Sequence, residues 1–326
     1  MPGTDVAAAL RLVVEELPDL PYWPELPALG PHRGIVGRAA GLLVDLPLQL
    51  RAGRWTAAAR SGVDQVRAQR AWDDDLVLVA SLLAGADLPF KVGVCGPWTL
   101  LAQVESATGR ALLNDRGAVR DVTASLAHGI LQLRARLAAA APGLRFVLQV
   151  DEPSLAAVLS GSLPDAGWGR LPAVESGLVT AGLAEVFGDT AERIVHCCAA
   201  QPPLAEMWAA GATAVSVDLS LLGSDADEQL GQALEAGRSL LAGVVEPRRL
   251  SYPISSVGDV SRRSELTAIT DLLHRLGIPA GSVSGQIVVT PTCGLAAVPA
   301  PHVGDVLRLT RSIGVRFTEL AEEGGL

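Results

Sequence analysis

Residues that can bind metals, move protons or act as nucleophiles follow short apolar segments of this 326-residue chain. They are Asp151, Glu152, His196, Cys197, Cys198, Asp218, Glu246 and Cys293. If the apolar segments are parallel strands of a barrel, these groups meet at the carboxyl ends of the strands, where barrel enzymes have their active sites. Together they offer an imidazole, thiols and carboxylates, the donor set that zinc takes in proteins.

The spacing of two of these residues predicts which thiol faces the site. Residues i and i+2 of a strand point to the same side, so we expect His196 and Cys198 to face the barrel mouth and Cys197 to face away. With Asp218 and Cys293 they form a candidate zinc site of two cysteines, one histidine and one aspartate.

Purely structural interpretations of the same residues stay open. Free cysteines often pack in cores as small hydrophobes, and this is our interpretation of Cys95, which lacks a partner. Asp151 and Asp218 are equally suited to cap the helices that follow them.

Strand-like and helix-like segments alternate along the chain. Apolar or β-branched runs predict strands, and longer stretches with helical periodicity predict helices. Because the runs are apolar throughout, they are typical of parallel strands buried on both faces. Their number and even spacing predict a single α/β domain over 1–326, folded as a (β/α)8 TIM barrel. The predicted strands are 91–96, 145–151, 193–198, 214–218, 240–246 and 286–290, with a weaker one at 46–50, and the predicted helices include 119–141, 204–210, 227–241 and 261–276.

Composition excludes several classes of protein. Hydrophobic residues make up 49% and charged residues 19%, the opposite of a disordered chain. The net charge of -9 argues against nucleic-acid binding, which needs clustered positive charge. Lys91 is the one lysine among 26 basic residues, a bias that we attribute to codon usage.

The location predicted for the protein is the cytoplasm. Cys197 and Cys198 are adjacent, which disfavours a disulfide framework and suits a reducing compartment. The first twenty residues lack a basic region and carry acidic residues where a signal peptide is apolar. The longest uncharged run, 276–304, contains four prolines, which a membrane-spanning helix tolerates poorly. We therefore expect no membrane partner.

Residues 17–31 carry a proline at every third position from Pro18 to Pro27. This period matches a polyproline II helix, so docking to a proline-recognising partner is one interpretation. A stiff loop that covers one end of the barrel is the favoured one.

Six segments, in order, resemble the catalytic domain of cobalamin-independent methionine synthase, which belongs to a group of (β/α)8 barrels that includes uroporphyrinogen decarboxylase. The similarity covers roughly residues 90 to 300, and its most specific parts are H-x-C, an acidic strand end and P-x-C-G-L. The six segments are GPWTLL at 96–101, LQVDEPSL at 148–155, HCC at 196–198, AVSVDLS at 214–220, GVVEP at 243–247 and TPTCGL at 290–295.

The resemblance implies roles for individual residues. The family's zinc ligands fall on His196, Cys198, Asp218 and Cys293, with Asp218 at a position where the family has glutamate. The family's homocysteine-binding aspartate falls on Asp151, so Asp151 and its neighbour Glu152 are the candidate substrate-binding residues.

The position of the family's catalytic histidine is occupied by Arg248. Asp151 and Arg248 are accordingly the candidate catalytic residues, although arginine is always charged and is a poor proton donor. The family's folate-contacting tryptophan and glutamate align with Gln103 and Ala157. These departures all concern the methyl donor.

The family's barrel opens with a strand and a G-S-F/W-P turn, whereas this sequence begins at Met1 with what looks like the tail of such a turn. Either the barrel lacks its first strand or translation starts upstream. We favour the second, because an open barrel leaves two unpaired strand edges.

The predicted function is that of a zinc-dependent methyltransferase similar to 5-methyltetrahydropteroyltriglutamate–homocysteine S-methyltransferase. Its expected partners are a small thiol substrate, homocysteine, and a methyl donor, either methyltetrahydrofolate or a methylated corrinoid protein. Two alternatives are a non-catalytic zinc- or thiol-binding homologue and a decarboxylase of the same superfamily. The decarboxylase does not explain the cysteine motifs.

Overall fold

The computed structural model describes residues 1–165, 169–247 and 258–324. These residues form an α/β fold in which strands and helices alternate, as the sequence predicts. The strands are β1 (Leu48–Arg51), β2 (Arg54–Ala57), β3 (Leu88–Cys95), β4 (Leu144–Asp151), β5 (Glu192–His196), β6 (Ala214–Asp218), β7 (Ser239–Val245) and β8 (Ile287–Pro291). The helices are α1 (Val6–Glu16), α2 (Ile35–Leu42), α3 (Val63–Leu82), α4 (Pro97–Gln103), α5 (Arg116–Ala140), α6 (Leu155–Ser160), α7 (Ser176–Phe187), α8 (Leu204–Ala209), α9 (Asp227–Glu235), α10 (Gly258–Leu276), α11 (Ala280–Val283) and α12 (Val303–Glu322).

Strands β3 to β8 form one parallel sheet in sequence order, curled into a half-barrel. Its strands are apolar on both faces because one face packs on the helices and the other lines the concave side of the sheet. Part of the concave side is filled by an apolar cluster of Val147, Ile194, Ala214 and Leu241.

Closure into a complete eight-stranded barrel is not seen among the described residues. The segment around Tyr22 adds only a single parallel bridge to the edge of β3, where the Lys91 amide donates to the Pro21 carbonyl at 2.9 Å. Strand β1, near the weakly predicted strand at 46–50, pairs antiparallel with β2 in a hairpin separate from the parallel sheet. Helix α1 packs beside α12.

The proline-rich segment packs against the rest of the chain. The Trp23 side chain is buried and meets the Trp72 ring edge-on, with the ring centroids 5.1 Å apart. This agrees with a loop laid over the fold.

One predicted helix runs too far. Residues 227–241 have helical periodicity, but α9 ends at Glu235 and β7 begins at Ser239. Gly237, with φ of +79°, provides the left-handed conformation that commonly ends a helix. Leu240 and Leu241 fit the apolar pattern of a helix as well as that of a strand. In the structure they belong to β7.

No helix in the described ranges has both the length and the apolar character needed to cross a membrane.

Candidate functional site

Strand register places the predicted site residues at the carboxyl edge of the half-barrel. Asp151 of β4 pairs with His196 of β5, which pairs with Ser216 of β6. Asp218 lies two residues further along β6 and shares its sheet face with Ser216. Cys198 lies the same distance beyond His196, and Cys293 follows β8.

Two of the predicted ligands are in direct contact. The thiols of Cys198 and Cys293 share a hydrogen bond, which, with burial, raises the pKa of Cys198. Neither cysteine forms a disulfide. Cys198 is half-buried and Cys293 is exposed, so the pair is open to solvent and to small molecules.

His196 is oriented by β6. Its Nδ1 lies 3.1 Å from the carbonyl oxygen of Ser216 and 3.1 Å from the Ser216 hydroxyl. Because a carbonyl can only accept, this contact favours the tautomer with hydrogen on Nδ1, which leaves Nε2 as the metal-binding or proton-accepting nitrogen. Burial and the charge of Lys91 lower the pKa of His196, so the neutral ring is favoured.

Cys197 lies away from this group. Its side chain is fully buried, and burial raises its pKa to about 11. The backbone alternation that the sequence suggests for His196, Cys197 and Cys198 agrees with this burial.

Asp218 is engaged elsewhere. Its Oδ1 accepts hydrogen bonds from the Ser220 backbone at 2.9 Å and from the Ser220 hydroxyl at 2.7 Å. It thereby caps the 3-10 turn Leu219–Leu221, the structural role that the sequence left open. The residue also lines a cavity of about 270 Å³, together with Glu246, Thr292 and Asp271.

The donor chemistry of two thiols and an imidazole suits zinc, but the fit is incomplete. Within the ranges that the structure describes, no three His, Cys, Asp or Glu side chains are grouped closely enough to hold a metal ion. Asp218 would have to leave Ser220 to become a ligand.

Asp151 is a half-buried carboxylate at the end of β4. Burial raises its pKa to about 6, against the opposing effects of a hydrogen bond from Gln149 and the charge of Lys91. The Gln149 Nε2 donates to Asp151 Oδ1 at 2.7 Å. Helix capping, the alternative for this residue, is not among its described hydrogen bonds.

Glu152 turns into the interior and is fully buried. Its Oε1 accepts from the Trp98 backbone at 2.9 Å, and its Oε2 accepts from the Thr99 backbone at 2.8 Å and the Thr99 hydroxyl at 2.6 Å. Gly96 makes room for this carboxyl, since a Cβ there would lie 2.2 Å from Oε1. Glu152 therefore anchors the start of α4, and substrate contact by Glu152 stays a prediction.

Glu25 is a residue of the candidate site that was not predicted from the sequence. Its side chain is 28% exposed and lies 3.1 Å from the Arg38 guanidinium. Burial raises its pKa, and the negative charge of Asp151 raises it further. The two carboxylates thus act on each other although they are far apart in sequence. The sequence feature that could have indicated this role is the position of Glu25, an acidic residue within the proline-rich segment.

The structure describes only some of the residues that the resemblance relates to the methyl donor. Arg248, the candidate catalytic residue, lies outside the described residues. Gln103 is the last residue of α4, and Ala157 lies in α6.

In its fold the chain is similar to a B12-independent methionine synthase from a Shewanella species, solved in complex with selenomethionine. The alignment covers 97% of this chain and 87% of that chain, with a TM-score of 0.62 and 12% sequence identity. No family model and no curated protein matches this sequence. At this identity the similarity concerns the fold.

Proposed function

We propose that this protein is a methyltransferase that methylates a thiol, with homocysteine as the acceptor and methionine as the product. The observation that carries the proposal is the contact between the Cys198 and Cys293 thiols near His196, at the carboxyl edge of a methionine synthase-like fold. Carboxyl edges of parallel sheets are where barrel enzymes bind their substrates.

The proposed metal ligands are His196, Cys198, Cys293 and Asp218, whose side chains would have to move closer together to hold a metal, Asp218 by turning away from Ser220. Zinc bound by these residues would supply acidity to a coordinated substrate thiol, so that the nucleophilic thiolate exists at neutral pH. The Ser216 carbonyl favours the tautomer of His196 in which Nε2 carries no proton.

Asp151 is proposed to hold the substrate ammonium. Its described hydrogen bond is made by Oδ1, so Oδ2 is the acceptor offered to a ligand. Glu25, whose charge is coupled to that of Asp151, adds a second carboxylate. The charge of Asp151 raises the pKa of Glu25, and two carboxylates that interact in this way favour a bound cation.

The methyl donor is tested by a panel. Purified protein with homocysteine is given methyltetrahydrofolate, its polyglutamate or methylcobalamin in parallel, and methionine is measured by mass spectrometry. Methionine from at least one donor supports the proposal, and its absence with all three, in protein loaded with zinc, contradicts it.

A second candidate is a non-catalytic protein that binds zinc or thiols. The Ser220 contacts of Asp218 favour it, because they keep one proposed ligand out of the site. In that case the protein binds homocysteine in the same assay but forms no methionine.

A further inference from the structure

Lys91 lies on the concave face of β3, where it pairs in register with Val147 of β4, four residues before Asp151. The Lys91 Nζ lies over the Tyr22 ring, 5.5 Å from its centroid. Elsewhere the chain uses arginine for its cations, 25 times against this one lysine (26 basic residues minus one). Lys91 is the only cationic residue of β3, and it brings to the concave face a compact ammonium with three hydrogen-bond donors.

A chain of two hydrogen bonds connects Lys91 with Asp151. The Lys91 Nζ donates to Gln149 Oε1 at 2.6 Å, and Gln149 Nε2 donates to Asp151 Oδ1 at 2.7 Å. Because an ammonium has no acceptor, the first bond fixes which end of the Gln149 amide faces Lys91. The amide nitrogen must then face Asp151.

The neighbouring strand leaves room for the other carboxylate oxygen. A Cβ at Gly93 would lie 3.1 Å from Asp151 Oδ2, which is shorter than most contacts that a Cβ makes. Oδ1 is therefore held by Gln149, and Oδ2 lies beside a residue that has no side chain.

We propose that Lys91 is a positioning residue that acts through Gln149 to orient Asp151 toward the ammonium of an α-amino acid substrate. The inference deepens the proposed function and rests on it. It assigns the specificity for an amino acid, as against any thiol, to the chain Lys91–Gln149–Asp151.

The test compares two thiols that differ only in the amine. Homocysteine and 4-sulfanylbutanoic acid are titrated calorimetrically into the full-length, zinc-loaded protein. We expect the Lys91→Met variant to bind homocysteine about tenfold more weakly, the loss typical of a charge-assisted hydrogen bond, and to bind the amine-free thiol as the wild type does.

Further variants guard against a loss of folding. Gln149→Met breaks the same chain at its middle and should give the same selective loss, and the double variant should lose no more than either single variant. Arg145→Met removes an exposed cation from the other end of β4 and should change neither affinity.

Equal weakening for both thiols, or none, would overturn the positioning role while leaving the proposed function intact. A wild-type protein that binds both thiols equally well would also overturn it, because Asp151 would then hold no ammonium. A wild-type protein that binds neither thiol would overturn both proposals.

Discussion

Asp218 shows how local hydrogen bonds can hold a candidate metal ligand in a structural role. The residue lies at the carboxyl end of β6, as predicted, and shares its sheet face with Ser216. Its carboxylate, however, accepts two hydrogen bonds from Ser220. Breaking hydrogen bonds to a charged group costs roughly 1.5–3 kcal/mol each. That cost opposes its recruitment by a metal.

Ser220→Ala is therefore expected to strengthen zinc binding. The variant removes the hydroxyl bond to Asp218 and retains the backbone bond, so we expect about a tenfold lower dissociation constant. Competition with a chromophoric chelator measures it.

Ser282→Ala serves as the matched control, since its hydroxyl donates only to the Pro279 carbonyl on the surface. Equal zinc affinity in Ser220→Ala and Ser282→Ala would show that the Ser220 hydroxyl does not hold Asp218 away from the metal.

For single residues, the sequence predicts where a side chain lies in the fold better than it predicts its hydrogen-bond partners. Strand ends and the facing of Cys197 follow from local periodicity, and both agree with the structure. The partners of Glu152 are not predictable in this way, because Trp98 and Thr99 lie in the first turn of α4, more than fifty residues away in the sequence. The place of the single lysine beside Gln149 was likewise not predicted, because codon usage explains why arginine outnumbers lysine but not where Lys91 lies.

Among the elements, α5 approaches the end of α2 so closely that only glycine fits between them. A Cβ at Gly129 of α5 would lie 1.9 Å from the Leu42 carbonyl oxygen, a backbone atom that cannot move independently. Helices can pack this closely only where a side chain is absent.

Gly129→Ala should therefore lower the free energy of unfolding by about 3 kcal/mol, the upper end of the usual cost of overpacking, because the clash is with backbone. Gly231→Ala, in the middle of α9, is the control. Its added methyl meets only Leu276 at 4.0 Å, so we expect a gain of about 0.5–1 kcal/mol from helix propensity. Urea unfolding measures both, and a loss in both variants would contradict the close approach of α5.

Strands were more predictable than the sheet that they build. The six parallel strands begin and end within three residues of the predicted ones, because runs of Val, Ile and Leu mark strands locally. Whether a curled sheet closes depends on pairing between its first and last strands. Local patterns do not determine that pairing, and the hairpin of β1 and β2 is an example.

Across the whole molecule, the first third of the chain is tied together by a buried charge network. Asp75 of α3 is 1% exposed and accepts from Arg33 at 2.6 Å and from the Trp23 indole at 3.2 Å. Arg38 lies 3.7 Å from the same carboxylate and also pairs with Glu25. The network thus connects α3 with the proline-rich segment and with the edge of the proposed ammonium site.

Asp75→Asn should lower the free energy of unfolding by about 3 kcal/mol, because it removes the carboxylate that pairs with the buried Arg33 guanidinium. Asp64→Asn on the same helix removes a pair whose Arg67 side chain is 61% exposed, and it should cost below about 0.5 kcal/mol. Similar values for both variants in urea unfolding would show that the network does not stabilise the fold.

The central claim is that Cys198 and Cys293, with His196, bind a metal that activates a thiol. Zinc bound per chain, measured by mass spectrometry of purified protein, tests it most directly. We predict about one zinc in the wild type and in Cys197→Ser, with loss of zinc in Cys293→Ser and His196→Ala. Less than about a tenth of an equivalent in the wild type after loading, or loss of zinc in Cys197→Ser, would contradict the account.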